Sequence, residues 1–279
     1  MAPRNCSRHN DYTPINHLGR SNLRPRTRVR RDMSSESEYT SDQDVYNMSD
    51  ARLALTLCIT KNRAGSETDV QALEKMFKAL NFKNTVRRNI PAKGFWEELE
   101  KFRDDMDQMK DPVSCCFVVL MAHGEEGILQ GVDGNTIRLD ELFCMLTNKN
   151  CRALRGKPKV FIVQACRGDQ KDPGEVVKPT SSGGDVLLAK ERPPKLPTFS
   201  DSLHVYATVE GYIAYRHEED GSFFIQTLVD VFTNMKGNIL DLLTEVTRRM
   251  ADAELMEEGK PRKVNPEVQS TLRKLLYLQ

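Results

Sequence analysis

Two nearly continuous apolar runs limit what this chain can fold into more than any other feature: SCCFVVLMA at residues 114–122 and PKVFIVQA at 158–165. A strand with one face in water alternates apolar and polar residues, whereas a strand covered on both faces has no place for polar side chains. Runs of this length and β-branched content therefore read as central parallel strands. RLALTLCIT at 52–60 is a third run of the same type. Helical periods lie between them. Val70, Leu73, Phe77 and Leu80 share one face, with Ser66 in the position of an N-cap and Asp69 as an acid in the first turn. A second helix is expected from Pro91, burying Phe95, Leu99, Phe102 and Met106 with Trp96 beside them, and a third in LDELFCML around 139–146. After residue 200 the pattern resumes with a strand in LHVYATVEG from 203, a helix in FFIQTLVDVFTNM, another from Ile239, and an edge strand in VQSTLRKLLYL. This cadence predicts a three-layer α/β domain.

Charge marks where that domain begins. Residues 1–31 carry eight arginines against one acid, Asp11, and from Asp32 to Asp50 the sign reverses in a stretch rich in Ser, Asp, Glu and Tyr. Neither half has a core-forming pattern, so residues 1–48 are expected to be a disordered basic then acidic extension, and 49–279 the folded domain. The net charge of the whole chain is only +1, which calls for neither a nucleic-acid nor a membrane partner. There is no 18-residue apolar run and no apolar segment at the N-terminus, so a cytoplasmic location is expected, with the nucleus also open to it. Seven cysteines without C-x-x-C spacing suggest reduced thiols and no structural zinc.

In a parallel sheet, reactive groups gather beyond the carboxyl ends of the strands. His123 follows one central run and Cys166 the other, so neighbouring parallel strands bring them together although 43 residues separate them. A cysteine nucleophile needs such a histidine to accept its proton. Gly124, without a Cβ, can offer its amide to an oxyanion together with the amide of Cys166. No metal and no cofactor is required. No third side chain that orients the imidazole is identifiable, and a backbone carbonyl would serve as well as Asn or Asp, so the assignment is a dyad. The remaining cysteines, Cys6, Cys58, Cys115, Cys116, Cys144 and Cys151, read as ordinary buried or tail residues.

The segments MAHGEEG at 121–127 and QACRG at 164–168 match a described signature of the caspase family, so here the chain is recognised by a known motif and nothing is inferred from spacing. The resemblance runs over residues 50–279. It implies a caspase-like fold with a central, mostly parallel six-stranded sheet flanked by helices, and a cysteine endopeptidase that cleaves protein substrates after aspartate. Carried over by position, it implies that Arg63, Gln164 and Arg216 hold the substrate aspartate and that Ile213, Tyr215 and Phe223 line the next pocket. Two guanidinium groups suit a carboxylate, because each offers paired charge-assisted bonds. The resemblance also implies a zymogen cut between a large subunit (about 49–185) and a small one (about 190–279). The Pro- and Gly-rich stretch 169–200 would be the linker, with Asp172 and Asp185 as cut sites for an aspartate-directed enzyme, or the neighbourhood of residues 186–190 for another activating protease. It further implies a homodimer joined through the C-terminal edge strand. NRAGSETDV (62–70) and EGYIAYRHEEDGSFFIQTL (210–228) are most similar to an epidermal branch of the family, associated with terminal differentiation more than with cell death. The alternative is a catalytically weak or inactive regulatory binding protein, as in relatives that have lost the cysteine or the histidine. Both are present here.

Overall fold

A computed structural model of the chain describes residues 44–172, 196–257 and 260–279. In chain order the elements are β1 (Ala51–Cys58), α1 (Ser66–Ala79), β2 (Lys83–Arg88), α2 (Ala92–Gln108) and β3 (Val113–Met121). A small antiparallel sheet follows, β4 (His123–Glu125), β5 (Ile128–Gln130) and β6 (Thr136–Arg138), then α3 (Leu139–Cys144) and β7 (Lys159–Gln164). The second part holds β8 (Ser202–Tyr206), the ribbon β9 (Arg216–His217) and β10 (Gly221–Ser222), α4 (Phe223–Asn234) and α5 (Ile239–Asp252). The ribbon β11 (Leu255–Glu257) and β12 (Lys260–Arg262) and the last strand β13 (Glu267–Ser270) complete it.

The six-stranded sheet has the order β13-β8-β7-β3-β1-β2, and within it only β13 runs antiparallel to its neighbour. Every residue of β3 is buried, which is what its uninterrupted apolar run demands. Alternate side chains serve opposite layers. Cys115, Phe117, Val119 and Met121 join the core under α1, α4 and α5. Val113, Cys116, Val118 and Leu120 join the core under α2 and α3. Phe77 of α1 packs edge-on to Phe117 with ring centroids 5.5 Å apart, a geometry favoured by the aromatic quadrupole.

Three expectations need correction. Ser66 is the first residue of α1 and not its cap; Gly65 precedes the helix at φ 80°, where an added Cβ would lie 2.1 Å from the His217 carbonyl oxygen, so no capping side chain fits. Asp69 does lie in the first turn as expected, and it is fully buried there. The folded body begins before residue 49: Val45 bridges to Leu275, and Tyr46, only 4% exposed, donates its hydroxyl to Asp201 Oδ1 at 2.7 Å. A lone tyrosine with partners more than 150 residues away leaves no local pattern to read. Finally, β2 was not anticipated, because KNTVRR is an edge strand with no apolar run. The terminal edge strand is present but short, and Leu275 and Tyr277 make only isolated bridges. Of the expected linker, Asp169–Asp172 and residues 196–200 belong to the described body; Asp185 and residues 186–190 lie outside the described residues, as does Cys6.

Candidate active site

Register between parallel strands assembles the site. Met121 at the end of β3 pairs with Gln164 at the end of β7, and Ala122 N donates to the Gln164 carbonyl at 3.3 Å. His123 and Cys166 each come two residues past that last rung, so both leave the sheet at one level. Cys58 of β1 pairs with Met121 from the other side, and Ile59 N donates to the Met121 carbonyl at 2.8 Å. The loop carrying Arg63 therefore starts from the same level on the third strand.

That loop is held by a residue the sequence reading missed. Asn89, in a left-handed conformation (φ 55°) just after β2, uses its side-chain oxygen to accept from Thr60 N at 2.8 Å and Lys61 N at 2.9 Å. The clamped turn presents the Asn62 carbonyl 3.4 Å from His123 Nε2. A carbonyl only accepts, so Nε2 carries the proton in this tautomer and Nδ1 is left as an acceptor. Partial withdrawal from water lowers the His123 pKa below the ordinary histidine value; the Asn62 bond opposes this, and the positive charges of Arg63 and Arg216 add to it.

Cys166 is half-buried at the mouth of this strand end. Four other thiols are deeply buried: burial pushes Cys58 and Cys151 up to about 11, and raises Cys115 and Cys116 as well, which favours the protonated, unreactive thiol at all four. Cys151 is buried in the core with its thiol donating to Asp107 Oδ1 at 3.7 Å. Gly124 is required by space, since a Cβ there would sit 2.5 Å from the Ile128 carbonyl oxygen and 3.2 Å from Ala165 Cβ. The β4–β5 hairpin can thus close against the residue before Cys166. Beyond the cysteine, Arg167 N donates to the Tyr212 carbonyl at 3.1 Å and Gly211 N to the Arg167 carbonyl at 2.8 Å. Arg167 itself is buried, stacked 4.3 Å over the Tyr206 ring and paired with Glu267 of β13, which ties the neighbour of Cys166 to the sheet edge.

Arg63 is only 2% exposed. Its Nη1 donates to the Ile59 carbonyl at 2.8 Å, its Nε has no partner, and no carboxylate forms an ion pair with it among the described residues. Burial first, and then the charge of Arg216, pushes its pKa down to about 10. Arg216, on β9, donates from Nε to the carbonyl of Ala64, the neighbour of Arg63, at 2.7 Å. Gln164 is 2% exposed and its Oε1 also lacks a partner. Two guanidiniums close enough to influence each other's charge, near a cysteine, have the chemistry to take a carboxylate through paired charge-assisted bonds. Of the residues expected for a second pocket, Tyr215 and Phe223 are partly buried against the core that includes α1 and α4, and Ile213 N donates to the Gln170 carbonyl at 3.1 Å. Among the described residues no group of three or more His, Cys, Asp or Glu is placed to hold a metal.

A histidine and a cysteine at adjacent parallel strand ends, in a six-stranded sheet with one antiparallel edge, define a caspase-fold cysteine peptidase, and the chain belongs to the caspase family: the caspase domain of peptidase family C14 matches residues 51–277. Human caspase-14 is 63% identical to it over 85% of this chain and 97% of the relative, and mouse caspase-14 is 57% identical over 88% and 100%. The crystal structure of caspase-1 from Spodoptera frugiperda matches with a TM-score of 0.72 at 28% identity, covering 85% of this chain and 96% of that one.

Proposed function

We propose that the protein is an endopeptidase cleaving protein substrates after aspartate, with Cys166 as nucleophile, His123 as proton carrier and Arg63, Arg216 and Gln164 as the aspartate clamp. One observation carries the reading: the Arg63 guanidinium is buried, makes no ion pair among the described residues, and lies near enough to Arg216 for the second positive charge to act on it, at the level of the cysteine. Burying an unpaired cation is costly, and a substrate carboxylate would offset that cost. In the reaction His123 Nδ1 takes the thiol proton as Sγ attacks the carbonyl carbon. The amides of Gly124 and Cys166 hold the oxyanion, and the imidazolium then protonates the departing amine. Water, deprotonated by the same imidazole, attacks the thioester and restores the thiol. Asn62 keeps the ring in the required tautomer throughout. Ile213, Tyr215 and Phe223 contact the residue before the aspartate. The test is a fluorogenic tetrapeptide library varied at the residue before the cut, using linker-cleaved protein. Turnover confined to aspartate supports the proposal, and turnover of asparagine or alanine peptides at comparable kcat/KM would overturn it.

The acid limb of kcat/KM should reflect the free His123 imidazole. Since its pKa lies below the ordinary value, activity should persist as pH falls past the usual histidine range and then decline as the ring is protonated. In Arg216→Ala, which removes one nearby positive charge, the limb should move to higher pH. A pH–rate profile on both proteins checks the shift, and an unmoved limb rejects the electrostatic assignment.

The same reading includes a zymogen cut between the subunits, a homodimer through the β13 edge, where the outer side of the strand has no partner strand among the described residues, and a cytoplasmic or nuclear role in epidermal differentiation in line with the caspase-14 likeness. Of the candidate cut sites, Asp172 is the one that can be judged. Its carbonyl, the bond a protease would attack, accepts from Lys263 N at 3.1 Å. Cleavage requires an extended, accessible backbone, so the activating cut should not be the one at Asp172, whose carbonyl is held in this bridge. Intact mass of the two fragments checks this; a large fragment ending at Asp172 counts against it.

A further inference from the structure

Asp69 is a fully buried carboxylate that the proposed chemistry does not use. It sits on α1 and accepts three hydrogen bonds from the β10–α4 junction: Ser222 N to Oδ1 at 2.8 Å, Ser222 Oγ to Oδ2 at 2.5 Å and Gln226 Nε2 to Oδ1 at 2.8 Å. Gly221 is at φ +87°, and a Cβ on it would meet Asp69 Oδ1 at 2.3 Å, so the ribbon lies directly on the carboxylate. Ser222 is the N-cap residue of α4, yet its hydroxyl makes no capping bond and donates to Asp69. A locally favoured capping interaction is given up for a contact 153 residues away.

The register shows what the contact holds. Ser222 is paired directly opposite Arg216 in the β9–β10 ribbon. The same first turns of α1 reach the other arginine, since Ser66 Oγ and N both donate to the Arg63 carbonyl, at 2.6 and 3.1 Å. Thr68 Oγ1 donates to the Glu219 carbonyl in the ribbon's turn at 2.9 Å. One helix end thus indexes both arginines, Arg63 through Ser66 and Arg216 through Asp69. We infer that Asp69 is a positioning residue which, through Ser222, fixes the Arg216 ribbon against Arg63 and so sets the geometry of the aspartate clamp. The inference rests on the clamp reading above. Asp69 does not touch substrate; it acts by holding the strand partner of a residue that does.

Linker-cleaved wild type, Asp69→Ala, Asp69→Asn and Ser222→Ala are assayed for kcat and KM on tetrapeptides ending in aspartate or asparagine, with thermal midpoints recorded. Asp69→Ala should raise KM for the aspartate peptide about tenfold or more with kcat within about threefold, because binding geometry and not the dyad is disturbed. Asn can still accept from Ser222 N and Gln226 Nε2, and turn its amide toward Ser222 Oγ, so Asp69→Asn should restore KM to within about threefold of wild type. Ser222→Ala, which keeps the backbone bond and leaves the site filled, should raise KM by about threefold. If Asp69→Ala does not fold, the other two variants decide. The inference is overturned if Ser222→Ala and a folded Asp69→Ala leave KM unchanged, if kcat falls instead of KM rising, or if Asn fails to rescue. Failure of the clamp reading looks different: wild type itself would not distinguish aspartate from asparagine.

Discussion

Alanine at Cys166 is expected to lower kcat by on the order of 10⁴-fold or more, with the unfolding midpoint unchanged. The thiol is half-buried at the end of β7, so its removal leaves no large core void, and the strand ladder to β3 and β8 does not involve the side chain. His123→Ala should lose activity on a similar scale, and the double variant should be no worse than either single one, because two groups acting in one proton transfer are not additive. Burst and steady-state kinetics with a thioester-forming substrate separate the roles: Cys166→Ala should form no acyl-enzyme at all. A Cys166→Ala protein that retains a tenth of wild-type turnover would sink the assignment of Cys166 as nucleophile, and no turnover by linker-cleaved wild type would favour the regulatory alternative.

Replacing Arg63 should produce the second large effect, with opposite signs on activity and stability. In Arg63→Met the substrate carboxylate loses one of its two guanidiniums inside a desolvated site. The loss should cost about 3–4 kcal/mol, or on the order of 10²- to 10³-fold in kcat/KM for aspartate peptides. The same change removes a buried cation whose Nε has no partner and which has no acid pair among the described residues. A long apolar side chain in that space should not lower the unfolding midpoint, and should raise it if the freed Ile59 carbonyl finds water. Kinetics and thermal unfolding on one preparation check both signs. A structural arginine would show the reverse, with stability lost and kcat/KM little changed. Arg63→Lys should recover little of the loss, since a single ammonium cannot reproduce the paired donors of a guanidinium.

The strongest sequence signals were those that depend on neighbouring residues. An unbroken apolar run can only be a strand covered on both faces, and β3, buried along its whole length, is such a strand. Two such runs in parallel place their carboxyl ends together, which was enough to bring His123 and Cys166 to one level before any coordinate was known. Likewise α2 begins at Ala92, one residue past the expected Pro91, whose φ of −65° suits a helix start but whose ψ of 165° is extended, and its apolar stripe at Phe95, Leu99 and Met106 faces the core. The weak signals were polar and long-range. The apolar content of KNTVRR is too low to announce β2, and Tyr46 joins the body only through Asp201.

The sequence by itself determined the layered fold, the placement of His123 and Cys166 at adjacent strand ends, and the family, because side-chain periodicity and a short motif are local properties. Tertiary structure alone decided how the site is held. The Asn62 carbonyl that orients His123 belongs to the backbone, and a backbone atom has no signature in the residue it comes from. Asn89 reads as a turn residue until its oxygen is found under Thr60 and Lys61. Asp69 reads as a first-turn acid and no more, since helix propensity and charge patterning are blind to a partner 153 residues away. Only the packing of α4 beside α1 turns that acid into a buried acceptor and brings the ribbon bearing Arg216 to the loop bearing Arg63.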